Sequence, residues 1–165
     1  MPYIRHNFIA AYLQRIMKIG LICGGPSLER GISLNSARSV LDHLSSDSIE
    51  IVPFYLDLQR NAYRISTSQL YSNTPSDFDF KLKQTAKPLS EKQFVRELKA
   101  VDIVFPVMHG PYGEDGGIQN FLEKHNIPHV GSGADACRKA FDKFDANQYL
   151  RQIVSVAFLL KNQVD

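Results

Sequence analysis

A chain of 165 residues, 44% hydrophobic and 22% charged, has the length and composition of about one globular domain, which argues against long disorder. Its 19 Lys and Arg against 17 Asp and Glu leave a net charge of +2, too balanced to point to nucleic acid, and no apolar run approaches the ~20 residues of a membrane helix. Two cysteines far apart, Cys23 and Cys137, argue against a disulfide scaffold or a zinc module and fit a reducing, cytosolic setting.

Met1 to Ile16 contains no acidic residue, and Ile4, Phe8, Ile9, Tyr12, Leu13 and Ile16 fall on one side of a helical pattern. It lacks the unbroken apolar centre and small-residue cleavage site of a secretory signal. A mitochondrial-type targeting helix is one reading. We favour an extension ahead of a natural start at Met17, because Met17-Lys18 opens directly onto a strand. That strand, Lys18 to Cys23, is a short apolar run of the kind buried on both faces of a parallel sheet. Gly24-Gly25-Pro26-Ser27 breaks it, and Ala37, Val40, Leu41 and Leu44 then mark one face of a helix. Ile49 to Leu56 reads as a second strand, bent or near an edge because Pro53 cannot donate to a ladder. Such a strand–helix–strand unit calls for a right-handed crossover.

From Asp57 to Leu89 the pattern weakens, and the stretch reads as an excursion with a small hairpin rather than a second domain. Ser90 to Ala100 predicts a short helix with Phe94 and Leu98 touching at i, i+4. Asp102 to Met108 is another core strand, and Ile118, Phe121 and Leu122 mark a helix that Asn126-Ile127-Pro128 stops. His129-Val130 reads as a brief strand. Gly131-Ser132-Gly133 then turns the chain into a helix around Ala136 to Phe141, and Asp142 caps another running to about Arg151. Alternating strands and helices predict an open α/β layer structure, with ligands beyond the carboxyl ends of the strands.

Two glycine-rich loops occupy that position. The first, Gly24-Gly25-Pro26-Ser27-Leu28-Glu29-Arg30-Gly31-Ile32-Ser33, is neither a dinucleotide fingerprint nor a phosphate loop. Glu29 suits a ligand ammonium. It equally suits the first turn of a helix, where the dipole favours a carboxylate by ~0.3–1 kcal/mol without any ligand. Ser27 reads as an N-cap rather than a nucleophile, since no base is visible beside it. The second loop runs from His109 to Gly117 and holds four glycines in nine residues, an entropic cost that ordinary structure avoids. His109 is open to three readings: a satisfied core histidine, a metal ligand or a polar contact to a carboxylate. Glu114 and Asp115 read as helix-start residues rather than as a cation site. Lys143, near a helix start, is either a solvated residue or a sign of an anion nearby.

Both loops, in this order on a βα framework, resemble the D-alanine–D-alanine ligase family. The likeness rests on Gly24 to Ser33, on His109-Gly110-Pro111-Tyr112-Gly113-Glu114-Asp115-Gly116-Gly117-Ile118-Gln119, on Gly131 and on Phe141-Asp142-Lys143. It covers roughly Lys18 to Arg151, with Asp57–Ala100 only loosely constrained. The resemblance implies a three-layer, Rossmann-like domain with a mostly parallel sheet, of the kind that precedes an ATP-grasp region. It implies ATP-dependent joining of two D-alanines for cell-wall precursors, through an acylphosphate on the first, with Mg2+ neutralising the phosphates. Glu29 would anchor the ammonium of the first D-alanine and serve as the catalytic-site carboxylate. Ile32 would contact its methyl group, His109 would lie near its carboxylate, and Lys143 would reach toward nucleotide phosphates.

The family's ATP-grasp region, with most of the ATP pocket, the magnesium-binding carboxylates and an arginine for the tetrahedral intermediate, has no counterpart in this sequence. The expected organisation is an extension over 1–16, a substrate-side domain over 17–151 and a tail over 152–165. That tail reads as the first strand of a further domain or as an unrelated ending, with Phe158-Leu159-Leu160 exposed and prone to association. The chain alone is expected to be inactive and to bind D-alanine and ATP weakly in a cytoplasmic setting. Three alternatives remain: a non-catalytic binding or assembly module, with a homodimer among its partners; a D-alanine–D-lactate ligase relative; and an unrelated nucleotide-binding domain, the least supported.

Overall fold

An apolar run such as Ile19 to Cys23 can be buried completely only in a strand covered on both faces. The computed structural model describes residues 15–161, and of residues 72, 83 and 155–161 the backbone only. It places that run in β1 (Met17–Gly24), inside an open sheet with β2 (Ile49–Leu56), β3 (Ala62–Arg64) and β4 (Ile103–Pro106). The order is β3-β2-β1-β4. β1 runs parallel to both β2 and β4, and β3 is antiparallel to β2.

Alternate residues of these strands feed two cores. Ile19, Leu21 and Cys23 of β1, with Ile51 and Tyr55 of β2, face α1 (Arg30–Leu44), α2 (Thr67–Ser72) and α3 (Pro75–Thr85). Leu34, Ala37, Leu70, Phe78 and Leu82 fill that side, where Tyr55 stacks on Phe78 at 4.4 Å between ring centroids. Ile22, Val52, Phe54, Leu56 and Val104 face the other way, against Phe94 and Leu98 of α4 (Glu91–Lys99) and Ile118 and Leu122 of α5 (Gly117–Lys124). Burying both faces of one sheet makes three layers, the α/β class that the sequence predicts. α6 (Ala134–Phe141) and α7 (Lys143–Lys161) follow, with α6 packed on both α5 and α7.

This order fixes where a ligand can enter. From β1 the chain crosses by α1 on one face to β2, and it reaches β4, on the other side of β1, after α4 on the opposite face. The winding reverses between β1 and β4, whose carboxyl ends lie together because the strands are parallel. A crevice at such a switch point is the usual ligand site of an open α/β sheet.

One expectation holds and several change. β2 is an inner strand, but β3 pairs only with Phe54 to Leu56, so Pro53 lies just past its end, near an edge as expected. It is tolerated because its carbonyl accepts from Ile65 N at 3.1 Å just past the end of β3, so its missing N–H falls where that ladder has stopped. The excursion after Asp57 begins as the expected hairpin, whose turn is held by the buried Asp57 carboxylate accepting from Gln59 N and Asn61 N, each at 2.8 Å. It then folds into two short helices, each started by a capping box, on Ser66 with Gln69 and on Thr74 with Asp77. His129 makes only a single parallel bridge to Val104. α7 continues as helix through Lys161, which overturns the strand among the two readings of the tail. The helical pattern at 1–14 and the exposure of Phe158 to Leu160 lie outside the described residues and side chains.

Burial pushes the Cys23 thiol up to about 12, with Arg38 offsetting only part of the effect, and also raises the Cys137 thiol, helped by Glu123 and Asp115. Less thiolate at a given pH means slower alkylation. At pH 8 a maleimide should therefore label native Cys137, more slowly than free cysteine, and reach Cys23 only in denaturant. Two equally fast thiols in the native protein would contradict the burial of β1.

Candidate functional site

One buried hydroxyl joins the two switch-point loops. Ser33, fully buried in the first turn of α1, accepts from Gly24 N at 2.9 Å and donates to Val107 O at 2.8 Å. It thereby ties the end of β1 to the segment leaving β4. Three residues further along α1, Ser36 Oγ lies 2.9 Å from His109 Nε2. Successive turns of one helix face thus hold successive parts of the second loop.

Gly110, at φ 71°, fits against the first loop: a methyl group there would overlap Ser27 Oγ and come within 2.8 Å of Glu29 Oε2. Both the left-handed backbone and the close approach require glycine. Ser27 is buried, but it is not the helix cap; its hydroxyl accepts from Glu29 N at 3.0 Å in a local turn. The cap position belongs to Glu29, whose side chain makes no capping bond. No described residue hydrogen-bonds or ion-pairs the Glu29 carboxylate, since neighbouring Arg30 pairs with Asp79 at 2.7 Å. Glu29 and the half-exposed Ile32 line one cleft of about 480 Å³ with Asn35 and Arg38.

Glu114 does something the sequence reading missed. Instead of serving the start of α5, it closes its own loop: Oε2 accepts from Gly110 N at 2.9 Å, and Oε1 lies 3.4 Å from His109 Nδ1. Asp115 keeps the expected role, accepting from Gly117 N at 2.9 Å. The spacing H-x4-E was the only available signal, and a carboxylate just before a helix disguised it. His109 itself lies beyond β4 and is about one-third exposed, not a core histidine.

Lys143 is not brought to Glu29. It lines a second cleft, of about 610 Å³, with Met108, Gly113, Glu114, Gln119, Ser132 and Phe141. In that cleft Gln119 donates to Gly113 O at 2.8 Å and leaves its buried Oε1 without a partner among the described residues. The second loop therefore stands between the two clefts, with Gly110 against Glu29 and Glu114 lining the Lys143 side. The cleft thus offers one cation, Lys143, and one buried acceptor, Gln119 Oε1, without a partner among the described residues. Among the described residues no group of three or more His, Cys, Asp or Glu could hold a metal ion, so a Mg2+ site does not fit the residues present.

Fold and loops together define an open α/β domain whose switch-point crevice is bordered by Glu29, whose carboxylate has no partner among the described residues, and by His109, 3.4 Å from Glu114. A family model described as the N-terminus of D-ala D-ala ligase matches residues 18–132, and the chain belongs to that family. A D-alanine–D-alanine ligase of Bacillus cytotoxicus is 32% identical over 136 residues, 77% of this chain and 37% of the relative. Among solved structures, the D-alanine–D-alanine ligase of Coxiella burnetii superposes with a TM-score of 0.70 at 27% identity, covering 82% of this chain and 42% of that one. The VanG D-Ala:D-Ser ligase of Enterococcus faecalis gives 0.64 at 28%, covering 81% and 41%. A Bacillus anthracis ligase complexed with ATP gives 0.56 at 26%, covering 82% and 36%. The chain spans about two fifths of the length of these proteins.

Gly110→Ala should drive the loops apart and destabilise the domain by about 1–3 kcal/mol, from the strained backbone and the overlap. Urea denaturation measures this. An unchanged midpoint would contradict the apposition of Gly110 and Glu29.

Proposed function

We propose that this chain is the substrate-side domain of a ligase that joins D-alanine to a second D-amino or D-hydroxy acid at the expense of ATP, for peptidoglycan precursors in the cytoplasm. The observation that carries the reading is the Glu29 carboxylate, without a partner among the described residues, set against Gly110, the residue after His109. An unpaired carboxylate at the rim of a cleft holds an ammonium, and His109 lies at the far end of the same loop contact for a carboxylate. Ile32, in the cleft with Glu29, gives a side-chain methyl an apolar neighbour. These three groups match the three substituents of D-alanine.

Lys143 takes a nucleotide phosphate in this reading, supported by its place in the second cleft beside the orphaned Gln119 acceptor. Bound ATP would supply carboxylate activation by phosphoryl transfer. This chain's residues orient the amino acid: Glu29 holds the ammonium and His109 the carboxylate end. The two named specificities among similar structures, D-Ala:D-Ala and D-Ala:D-Ser, share the first substrate and differ in the second. The site on this chain accordingly serves the shared D-alanine.

Titration of the chain with D-alanine, followed by amide chemical shifts, tests the reading. Shifts should converge on residues 25–33 and 107–114, with millimolar affinity. Glu29→Gln should weaken binding about tenfold or more, the loss of a charge-assisted contact. Phosphate release with D-alanine and ATP should stay at background for the chain alone; robust turnover, or binding indifferent to Glu29, would overturn the assignment.

One observation favours a second reading, a docking or assembly module. Phe144, Tyr149, Leu150, Ile153 and Val154 of α7 are exposed, Phe144 by 70% and Val154 by 65%. Light scattering separates the two: a stable dimer that ignores D-alanine supports the module. No described helix is long and apolar enough to cross a membrane.

A further inference from the structure

From Leu28 to Ile32 every residue lines the Glu29 cleft except Arg30. Arg30 turns instead to Asp79 of α3, whose Oδ2 lies 2.7 Å from its Nη2, with 17% and 24% of the two side chains exposed. The hold is one-armed, because Arg30 Nη1 is buried without a hydrogen-bond partner among the described residues. The helix itself does not favour a cation here, since its first turn is the positive end of the dipole. α3 thus does two things at this point: Thr74 and Pro75, at its start, wall the cleft, and Asp79, one turn on, takes the arginine away from it.

Without Asp79 the guanidinium has another acceptor at hand. An arginine keeps its charge and its five N–H donors at any ordinary pH, and leaving them unmet is costly. The adjacent Glu29 carboxylate has no partner among the described residues. Glu29 lies outside the helical repeat, at φ −83° and ψ 9°, so the divergence of successive helix side chains does not separate it from Arg30. Even within a helix such neighbours meet in this protein: Arg96 and Glu97 of α4 approach to 4.0 Å. A guanidinium on Glu29 would occupy the oxygens that an ammonium needs. Two cations compete for one carboxylate, and one of them is built into the chain.

We infer that Asp79 is a positioning residue for amino-acid recognition: by holding Arg30 against α3 it keeps Glu29 free for the ligand ammonium. This rests on the D-alanine reading of the site. It makes the two halves of the ion pair unequal. Removing Asp79 releases the competitor, whereas removing Arg30 abolishes it. A pair that merely ties α1 to α3 has no such asymmetry, because either loss breaks the tie and leaves one charge unpaired at similar burial.

The test titrates the full chain with D-alanine by NMR, in Asp79→Ala, Arg30→Gln, the double variant and Glu29→Gln, with a urea midpoint for each. Alanine suits the interior of α3, so Asp79→Ala keeps the helix. Asp79→Ala should raise the Kd about tenfold, the loss of one charge-assisted contact. Arg30→Gln should stay within twofold of the parent chain, and adding it to Asp79→Ala should restore the parent Kd. Equal losses in the two single variants, a double variant no better than Asp79→Ala, or a Kd that simply follows the urea midpoint marks a structural tie and overturns the inference. Should Asp79→Ala fail to fold, Arg30→Gln decides alone, since a tenfold loss there contradicts a competing arginine. If Glu29→Gln weakens D-alanine while Asp79→Ala leaves it unchanged, the role of Asp79 fails and the D-alanine reading stands. If the parent chain does not bind D-alanine, or Glu29→Gln has no effect, both fall.

Discussion

The site depends on one buried side chain, the hydroxyl of Ser33. Gly24 N and Val107 O would otherwise be a buried donor and a buried acceptor at the mouths of two strands, with no ladder left to satisfy them. Leaving such groups unpaired costs about 1–3 kcal/mol each, a large share of a typical domain's stability. Serine answers both with one atom, because it donates and accepts at once. In doing so it fixes the spacing between the loop after β1 and the loop after β4, and every other contact of the site inherits that spacing.

The second loop is the moving economy of the arrangement, one backbone segment serving two clefts. Gly110 comes close enough to Glu29 that no side chain could be added, while Glu114, four residues on, braces Gly110 and His109 from behind and faces Lys143's cleft. Under the proposed function this geometry puts an amino acid on one side of the loop and a nucleotide phosphate on the other. The shared wall gives the domain a physical reason for its density of glycines. Bulkier residues would thicken the partition between the two ligands.

Much of this was legible in the sequence, and the reason is periodicity. β1 and the faces of α1, α4 and α5 announced themselves because a doubly covered sheet needs continuous apolar runs and each helix needs one apolar stripe. The stretch after Asp57 was opaque because α2 and α3 are too short to develop a stripe; their capping boxes at Ser66 and Thr74 were the readable signal. Pro53 signalled the local edge of β2, because a residue without an N–H fits where the neighbouring strand has stopped. Glu29, Ile32, His109 and Lys143 were singled out through loop position and family likeness; Glu29 and Ile32 line one cleft, whereas Lys143 lies across the loop in another. Glu114 was hidden by its helix-start position. Ser33 and Ser36 are ordinary helix residues in sequence, and only the fold shows that their hydroxyls face the second loop.

The most direct test of the central claim is amide hydrogen exchange on Ser33→Ala compared with the parent chain. If one hydroxyl couples the loops, protection should fall together at residues 24–29 and 107–114, while the amides of β1 and β2 at mid-strand keep theirs. A loss confined to the Gly24 amide, with the second loop as protected as before, would show that the two loops are placed independently and would contradict a site built on their coupling.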